Sequence, residues 1–259
     1  MEFGISTHSI IPVRKEHAEV SEMVTQLLFG DIFEVLETKP KWLRIKQSFD
    51  GYEGWIDRKM AQAIDKSTFA TLNKKNIGDR AEDLLSVVDL EQDGPTTIAL
   101  GSSLPMLQGK EGQIAKQKYT FSGSSGNNND TSRNRIVDFA YLYLNAPYLW
   151  GGKTPFGIDC SGFTQMVYKL VGMRIARDAS QQALKGRTLS FVEEAQAGDL
   201  AFFDNQEGNI THVGIVLPQQ RIIHASGKVR IDLLDHHGIF NEALNDYTHQ
   251  LRLLKTYLK

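Results

Sequence analysis

Along the first 67 residues, apolar positions alternate with polar ones over short runs, and no helical period appears. Residues 31–38 read as a strand with Ile32, Val35 and Leu36 apolar. Residues 42–47 set Leu43 and Ile45 against Arg44 and Lys46. Asp50-Gly51 supplies a hairpin turn, because glycine tolerates positive φ. Residues 52–57 return as a strand with Trp55 and Ile56. Short strands joined by turn residues predict a small β-barrel over residues 1–67. Residues 68–122 have a similar character, with weaker strands at 84–90, 96–100 and 113–121. Asp93-Gly94-Pro95 and Gly101-Ser102-Ser103 punctuate them, which predicts a second small β domain. The Ser, Gly and Asn run over residues 122–130 has almost nothing to bury and predicts a linker at 123–130.

The pattern changes after this run. Thr131 is placed to cap a helix carrying Ile136, Val137, Phe139, Ala140 and Leu144, which Asn145-Ala146-Pro147 ends. A second helix starts near Cys160, with Phe163, Val167, Leu170 and Val171 at helical spacing and Gly172 at its end. Strands follow at 200–204, 212–217, 221–225 and 229–233. Helices first and an antiparallel sheet later predict an α+β domain over residues 131–259.

Composition narrows the classes. A net charge of -2 with no basic stripe gives no expectation of a nucleic-acid partner. The start M-E-F-G-I-S-T-H has no basic stretch leading into an apolar one, so no secretory signal is read. No window reaches the length of a membrane span, and the expected location is cytoplasmic, with no membrane partner; the alternative is periplasmic or extracellular, with a signal peptide removed. Nothing here predicts an oligomeric state. The chain has one cysteine, which rules out an intramolecular disulfide. It is either a small buried hydrophobe or a nucleophile.

Local context favours the nucleophile. In I-D-C-S-G-F, Asp159 has the chemistry of a helix N-cap, and Cys160 falls at the first helical position. Free N–H groups and the positive end of the helix dipole favour a thiolate there and predict a lowered thiol pKa. A thiolate needs a base. Seven histidines are available. His8 and His17 lie far from any nucleophile pattern, and His236, His237 and His249 sit in polar surroundings that read as surface. His212 and His224 each sit in an apolar strand, T-H-V-G-I-V-L and R-I-I-H-A-S. If Pro218-Gln219-Gln220 is a three-residue loop, Leu217 pairs with Arg221, and the two histidines share a face of the strand pair. A loop of other parity would separate them. One imidazole would carry the thiol proton, and a third polar group would fix its tautomer. A zinc site would need three or four ligands at close spacing, and only Cys160, His212 and His224 suggest themselves, with Asp204 a distant fourth; the expectation is neither a metal nor a cofactor.

At these residues the chain resembles the NlpC family of cell-wall peptidases. The matching pieces are Tyr148-Leu149-Trp150-Gly151-Gly152, Asp159-Cys160-Ser161-Gly162-Phe163, Gly198-Asp199-Leu200, His212-Val213-Gly214-Ile215 and His224-Ala225, in that order. The resemblance implies a papain-like fold with Cys160 as nucleophile, His212 as base and His224 as the orienting residue. It implies cleavage of an amide in peptidoglycan stem peptides, typically between γ-D-glutamate and a diamino acid. Tyr148 and Asp159 match positions lining the substrate cleft, and Ser161 matches a small hydroxyl residue that contacts the peptide. Residues 21–31 and 50–57 look like the first bacterial SH3-like domain of a recycling subgroup. There a carboxylate and a tyrosine hydroxyl read the free amino end of the peptide. By position these are Glu22 and Tyr52, with Glu53 and Glu37 as alternatives to the carboxylate. The expected architecture is two SH3-like β-barrel domains followed by a papain-like α+β catalytic domain. The expected activity is a γ-D-glutamyl-L-diamino acid endopeptidase acting on murein peptides with a free L-Ala. Two alternatives stand beside it: a secreted wall hydrolase anchored by its SH3-like domains, and an inactive wall-peptide binder.

Overall fold

A computed structural model of the chain describes residues 1–74, 77–127 and 129–258. They fall into two compact units, Met1–Asn128 with Trp150–Pro155, and Asn129–Leu149 with Phe156–Lys259. Position 128 of the expected linker lies outside the described residues, and Ser125–Gly126 within it pairs with Arg80–Ala81.

The first unit holds a seven-stranded antiparallel sheet and a four-stranded one. The order of the larger is Met23–Leu28, Ile10–Arg14, Glu53–Asp57, Trp42–Gln47, Ile32–Thr38, Phe3–Ile5 and Gln62–Ile64. Alternation along Trp42–Gln47 sends Leu43 and Ile45 into a core with Ile11, Val13, Leu27, Phe33 and Ile56. Gly51 makes the expected turn with φ +76°. The smaller sheet runs Gly94–Ala99, Leu85–Leu90, Gln117–Phe121, Glu111–Ile114. Residues 113–121, expected as one strand, are therefore parts of two: Ile114 pairs with Gln117 across a turn in which Ala115 takes φ +50°. Alanine seldom adopts that conformation, so the residue types gave no turn signal. The helix Lys66–Lys74 was also missed, because only its Phe69 is buried, stacked on Phe3 at 4.2 Å.

The second unit opens with the helix Arg133–Leu142. Its N-cap is Ser132, one residue later than expected, and Asp130 accepts from the Ser132 N–H at 2.9 Å to set the turn. The helix Cys160–Leu170 is buried throughout, and Gly172 follows it with φ +85°. This helix packs on the strand Ile210–Leu217. The sheet order is Arg187–Leu189, Asp246–Thr256, Leu200–Asp204, Ile210–Leu217, Arg221–Ser226, Lys228–Leu234 and Gly238–Asn241. Gly238–Asn241 also pairs with Asp246–Thr256, so six of the strands close on themselves. Ala201, Phe203, Val216, Ile222, Leu234, Ile239 and Leu254 fill the inside. His212 opposes Phe203, and His224 opposes Gly214, so both imidazoles lie on that inner face. The three-residue loop takes the parity that brings them together, with Leu217 opposite Arg221 and Gln219 and Gln220 both left-handed. No helix among the described residues is long and apolar enough to cross a membrane.

Candidate active site

Asp159 caps the helix that starts at Cys160. Its Oδ1 accepts from the Gly162 N–H at 2.6 Å. The same carboxylate is gripped by Arg177, whose Nη1 and Nη2 donate to Oδ1 at 3.0 Å and Oδ2 at 2.5 Å. Arg177 also donates to Ser161 Oγ at 2.9 Å. Arg177 is 1% exposed, and Asp159 and Ser161 are buried with it. Asp159 and Ser161 together hold the guanidinium that fastens the start of the Cys160 helix.

Cys160 is 6% exposed. The backbone N–H of Val213, the residue after His212, reaches its sulphur. That contact brings the nucleophile candidate to the base candidate. Burial pushes the thiol up to about 12, and the Asp159 charge adds to this, against the Val213 N–H and Arg177. The expectation of a lowered thiol pKa therefore fails in this resting state: desolvation outweighs the helix terminus. Tyr148 is 36% exposed. Partial burial first, then the charges of Cys160 and Asp159, push its hydroxyl up to about 12.

His212 Nε2 lies 2.8 Å from His224 Nδ1. His224 Nε2 lies 2.9 Å from Asp232 Oδ2. Arg230 Nη2 donates to Asp232 Oδ1 at 2.7 Å, and its Nε sits 2.7 Å from Oδ2. Burial, the facing His224 and His249 hold His212 well below the usual imidazole range. His224 is lowered chiefly by burial, despite its bond to Asp232. For Asp232, burial acts upward, but hydrogen bonds from His224 and Arg230 outweigh it and hold the carboxyl low. Burial thus disfavours the charged form of the thiol and of both imidazoles.

His249, read from sequence as a surface residue, stacks on His212 with ring centroids 4.1 Å apart and 28° between planes. Long-range pairing of the last strand explains the difference, since Ile239 opposes His249 across the closing seam. His212, His224 and His249 bring their nitrogens within 4.8 Å of one another. His212 Nε2 and His224 Nδ1 are spent on each other, and His224 Nε2 on Asp232.

Gly214 in the H-V-G-I motif has a steric reason. A Cβ there would come within 2.9 Å of the His224 Cβ, so only glycine leaves the second imidazole in place. Glu22 and Tyr52 belong to the first unit. Glu22 Oε1 accepts from the Trp150 indole at 2.8 Å, and Oε2 lies 3.5 Å from Lys15 Nζ. Tyr52 is half-buried at the end of the hairpin turn, its N–H on Asp50 Oδ1. In the same unit Gly151 packs over the Met23 carbonyl with φ +77°, where a Cβ would stand 2.4 Å from that oxygen. Sequence reasoning missed Arg177, Arg230, Asp232 and His249. For Arg230 and Asp232 a signal existed: two charges at alternate positions among Val229, Ile231 and Leu233.

Comparison with known proteins points to a peptidase family. The NlpC/P60 family model matches residues 145–247. The model of the bacterial dipeptidyl-peptidase Sh3 domain matches residues 13–59. The chain is 25% identical over 226 residues to a gamma-D-glutamyl-L-lysine dipeptidyl-peptidase of Bacillus cereus, covering 79% of this chain and 68% of that protein. It is 28% identical over 256 residues to dipeptidyl-peptidase 6 of Lysinibacillus sphaericus, covering 86% and 89%. A crystal structure of an NlpC/P60 family protein from Bacillus cereus shares the fold, with TM-score 0.81 and 18% identity over 99% of this chain and all of that one.

Proposed function

We infer that this cell-wall cysteine peptidase, which carries an NlpC/P60 domain behind a bacterial dipeptidyl-peptidase Sh3 domain, hydrolyses the γ-D-glutamyl–L-diamino acid bond of free murein peptides. The reading rests on one observation above the others. The only cysteine in the chain starts a helix, and its sulphur touches the backbone N–H next to His212. Relatives named as gamma-D-glutamyl-L-lysine dipeptidyl-peptidases support the choice of bond.

The chemistry follows from the resting state. Burial disfavours a standing thiolate and imidazolium, so the Cys160 proton passes to His212 as the sulphur attacks the γ-carbonyl carbon. The Cys160 backbone N–H at the helix start is a donor for the oxyanion that forms. The tetrahedral intermediate collapses, the C–N bond breaks, and His212 gives its proton to the departing amine of the diamino acid. Water then gives a proton to His212 and its hydroxyl to the thioester carbonyl. The L-Ala-D-Glu dipeptide leaves, and Cys160 regains its proton. No step needs a metal or an organic cofactor.

A dipeptidyl-peptidase must count two residues from a free amine. We assign that role to Glu22 and Tyr52, a carboxylate and a phenol suited to an ammonium group. Glu22 is oriented by the indole of Trp150, which is two residues along the chain from Tyr148. The test compares L-Ala-γ-D-Glu-L-Lys with its N-acetylated form. Removing the charge should lower kcat/KM by about 5-fold, the upper end for a solvent-exposed ion pair. Equal rates would remove the role of Glu22 and Tyr52.

A further inference from the structure

The chain His212, His224 and Asp232 has a direction, and it can be read atom by atom. An ionised carboxylate only accepts hydrogen bonds. Asp232 receives Arg230 Nη2 on Oδ1 at 2.7 Å and has Arg230 Nε 2.7 Å from Oδ2, a geometry that keeps it ionised. His224 Nε2, 2.9 Å from Oδ2, must therefore carry the proton. In a neutral ring the other nitrogen is then bare, so His224 Nδ1 is an acceptor. His212 Nε2, 2.8 Å from it, must donate. His212 in turn has a bare Nδ1. That nitrogen is the one nearer its own backbone, and the backbone N–H of the next residue, Val213, reaches the Cys160 sulphur.

We propose that Asp232, held by Arg230, is a positioning residue that sets the tautomers of two imidazoles in series and so presents the Nδ1 lone pair of His212 to Cys160. The inference rests on the reading of His212 as the base. Among the described residues, His249 is the other ring packed on His212, and it does not compete for these protons. His249 lies face to face with His212, so it meets the ring's π face, and its own Nδ1 is 2.9 Å from Thr248 Oγ1. Burial of the pair keeps both rings neutral and the relay intact.

The substitution Asp232→Asn should run the relay backwards. The amide has one oxygen and one NH2 group. Arg230 offers only donors and draws the oxygen to itself, which turns the NH2 toward His224 Nε2. His224 then carries its proton on Nδ1 and donates to His212 Nε2. His212 is left with a proton on Nδ1 and no lone pair for the thiol.

The experiment uses the full chain labelled with ¹⁵N-histidine at neutral pH. Multiple-bond proton–nitrogen correlations report which ring nitrogen is protonated, without substrate. Wild type should show His212 protonated on Nε2 alone, and Asp232→Asn should show it protonated on Nδ1. In the variant, kcat should fall by about 10³–10⁴-fold with KM little changed, as expected for a wrong tautomer of the base. Alkylation of Cys160 by iodoacetamide should slow as well. A wild-type His212 already protonated on Nδ1 overturns the proposal, and that spectrum decides even if the variant misfolds. An unchanged tautomer and unchanged kcat in a folded variant also overturn it. If wild type shows the stated tautomer but cleaves no γ-glutamyl peptide, the relay stands and the substrate assignment falls.

Discussion

Cys160→Ala should abolish peptide hydrolysis while leaving the fold in place. Losing an attacking nucleophile costs about 10⁶-fold in kcat where acyl-enzyme chemistry has been dissected. The chain has no second cysteine to take over. Structural damage should be small. Alanine keeps the Cβ, and the helix start is held by Asp159 on the Gly162 N–H and by Arg177, not by the sulphur. Losing one buried sulphur costs about 1 kcal/mol of burial. The measurement is hydrolysis of L-Ala-γ-D-Glu-L-Lys followed by mass spectrometry, alongside a thermal melt of the same preparation. An inactive protein with a near-normal melt fits a nucleophile. Retained activity would remove Cys160 from the mechanism.

The largest effect on stability should come from Arg177→Leu. The guanidinium is 1% exposed and serves both oxygens of a buried carboxylate and the Ser161 hydroxyl. Removing one member of a buried pair strands the other, at a cost of about 3–5 kcal/mol. For a chain of this size that lowers the melting midpoint by about 10 °C. Asp159→Asn added to Arg177→Leu should recover part of the loss, because the stranded charge disappears. A single variant melting within about 2 °C of wild type would mean the pair is not what holds the helix start. The same pair explains why Asp159 belongs beside a nucleophile: it caps the helix and anchors it at once.

What the sequence revealed was local. The motif I-D-C-S-G-F places a cap and a nucleophile within two residues, and helix physics alone explains the arrangement. The loop Pro218-Gln219-Gln220 left two parities open in the sequence, and the register with Leu217 opposite Arg221 is the one that lets His212 and His224 meet. What stayed hidden depends on distant pairing. His249 reaches His212 only because the last strand closes the sheet, and no neighbour in sequence announces this. Arg177 follows the Cys160 helix in an irregular stretch, where neither period nor turn type suggests a buried ion pair. The thiol pKa was misjudged for a related reason: the helix terminus is visible in sequence, but the burial that outweighs it is a property of the packed unit. Ala115 hid a hairpin because the wrong residue type occupies a left-handed turn.

The central claim is the identity of the bond that Cys160 breaks. The most direct measurement is mass spectrometry of the products that the full chain releases from L-Ala-γ-D-Glu-L-Lys. The account predicts L-Ala-D-Glu and free L-Lys in equal amounts, with no free L-Ala. Release of L-Ala, or an intact tripeptide in the presence of an alkylatable Cys160, would contradict it.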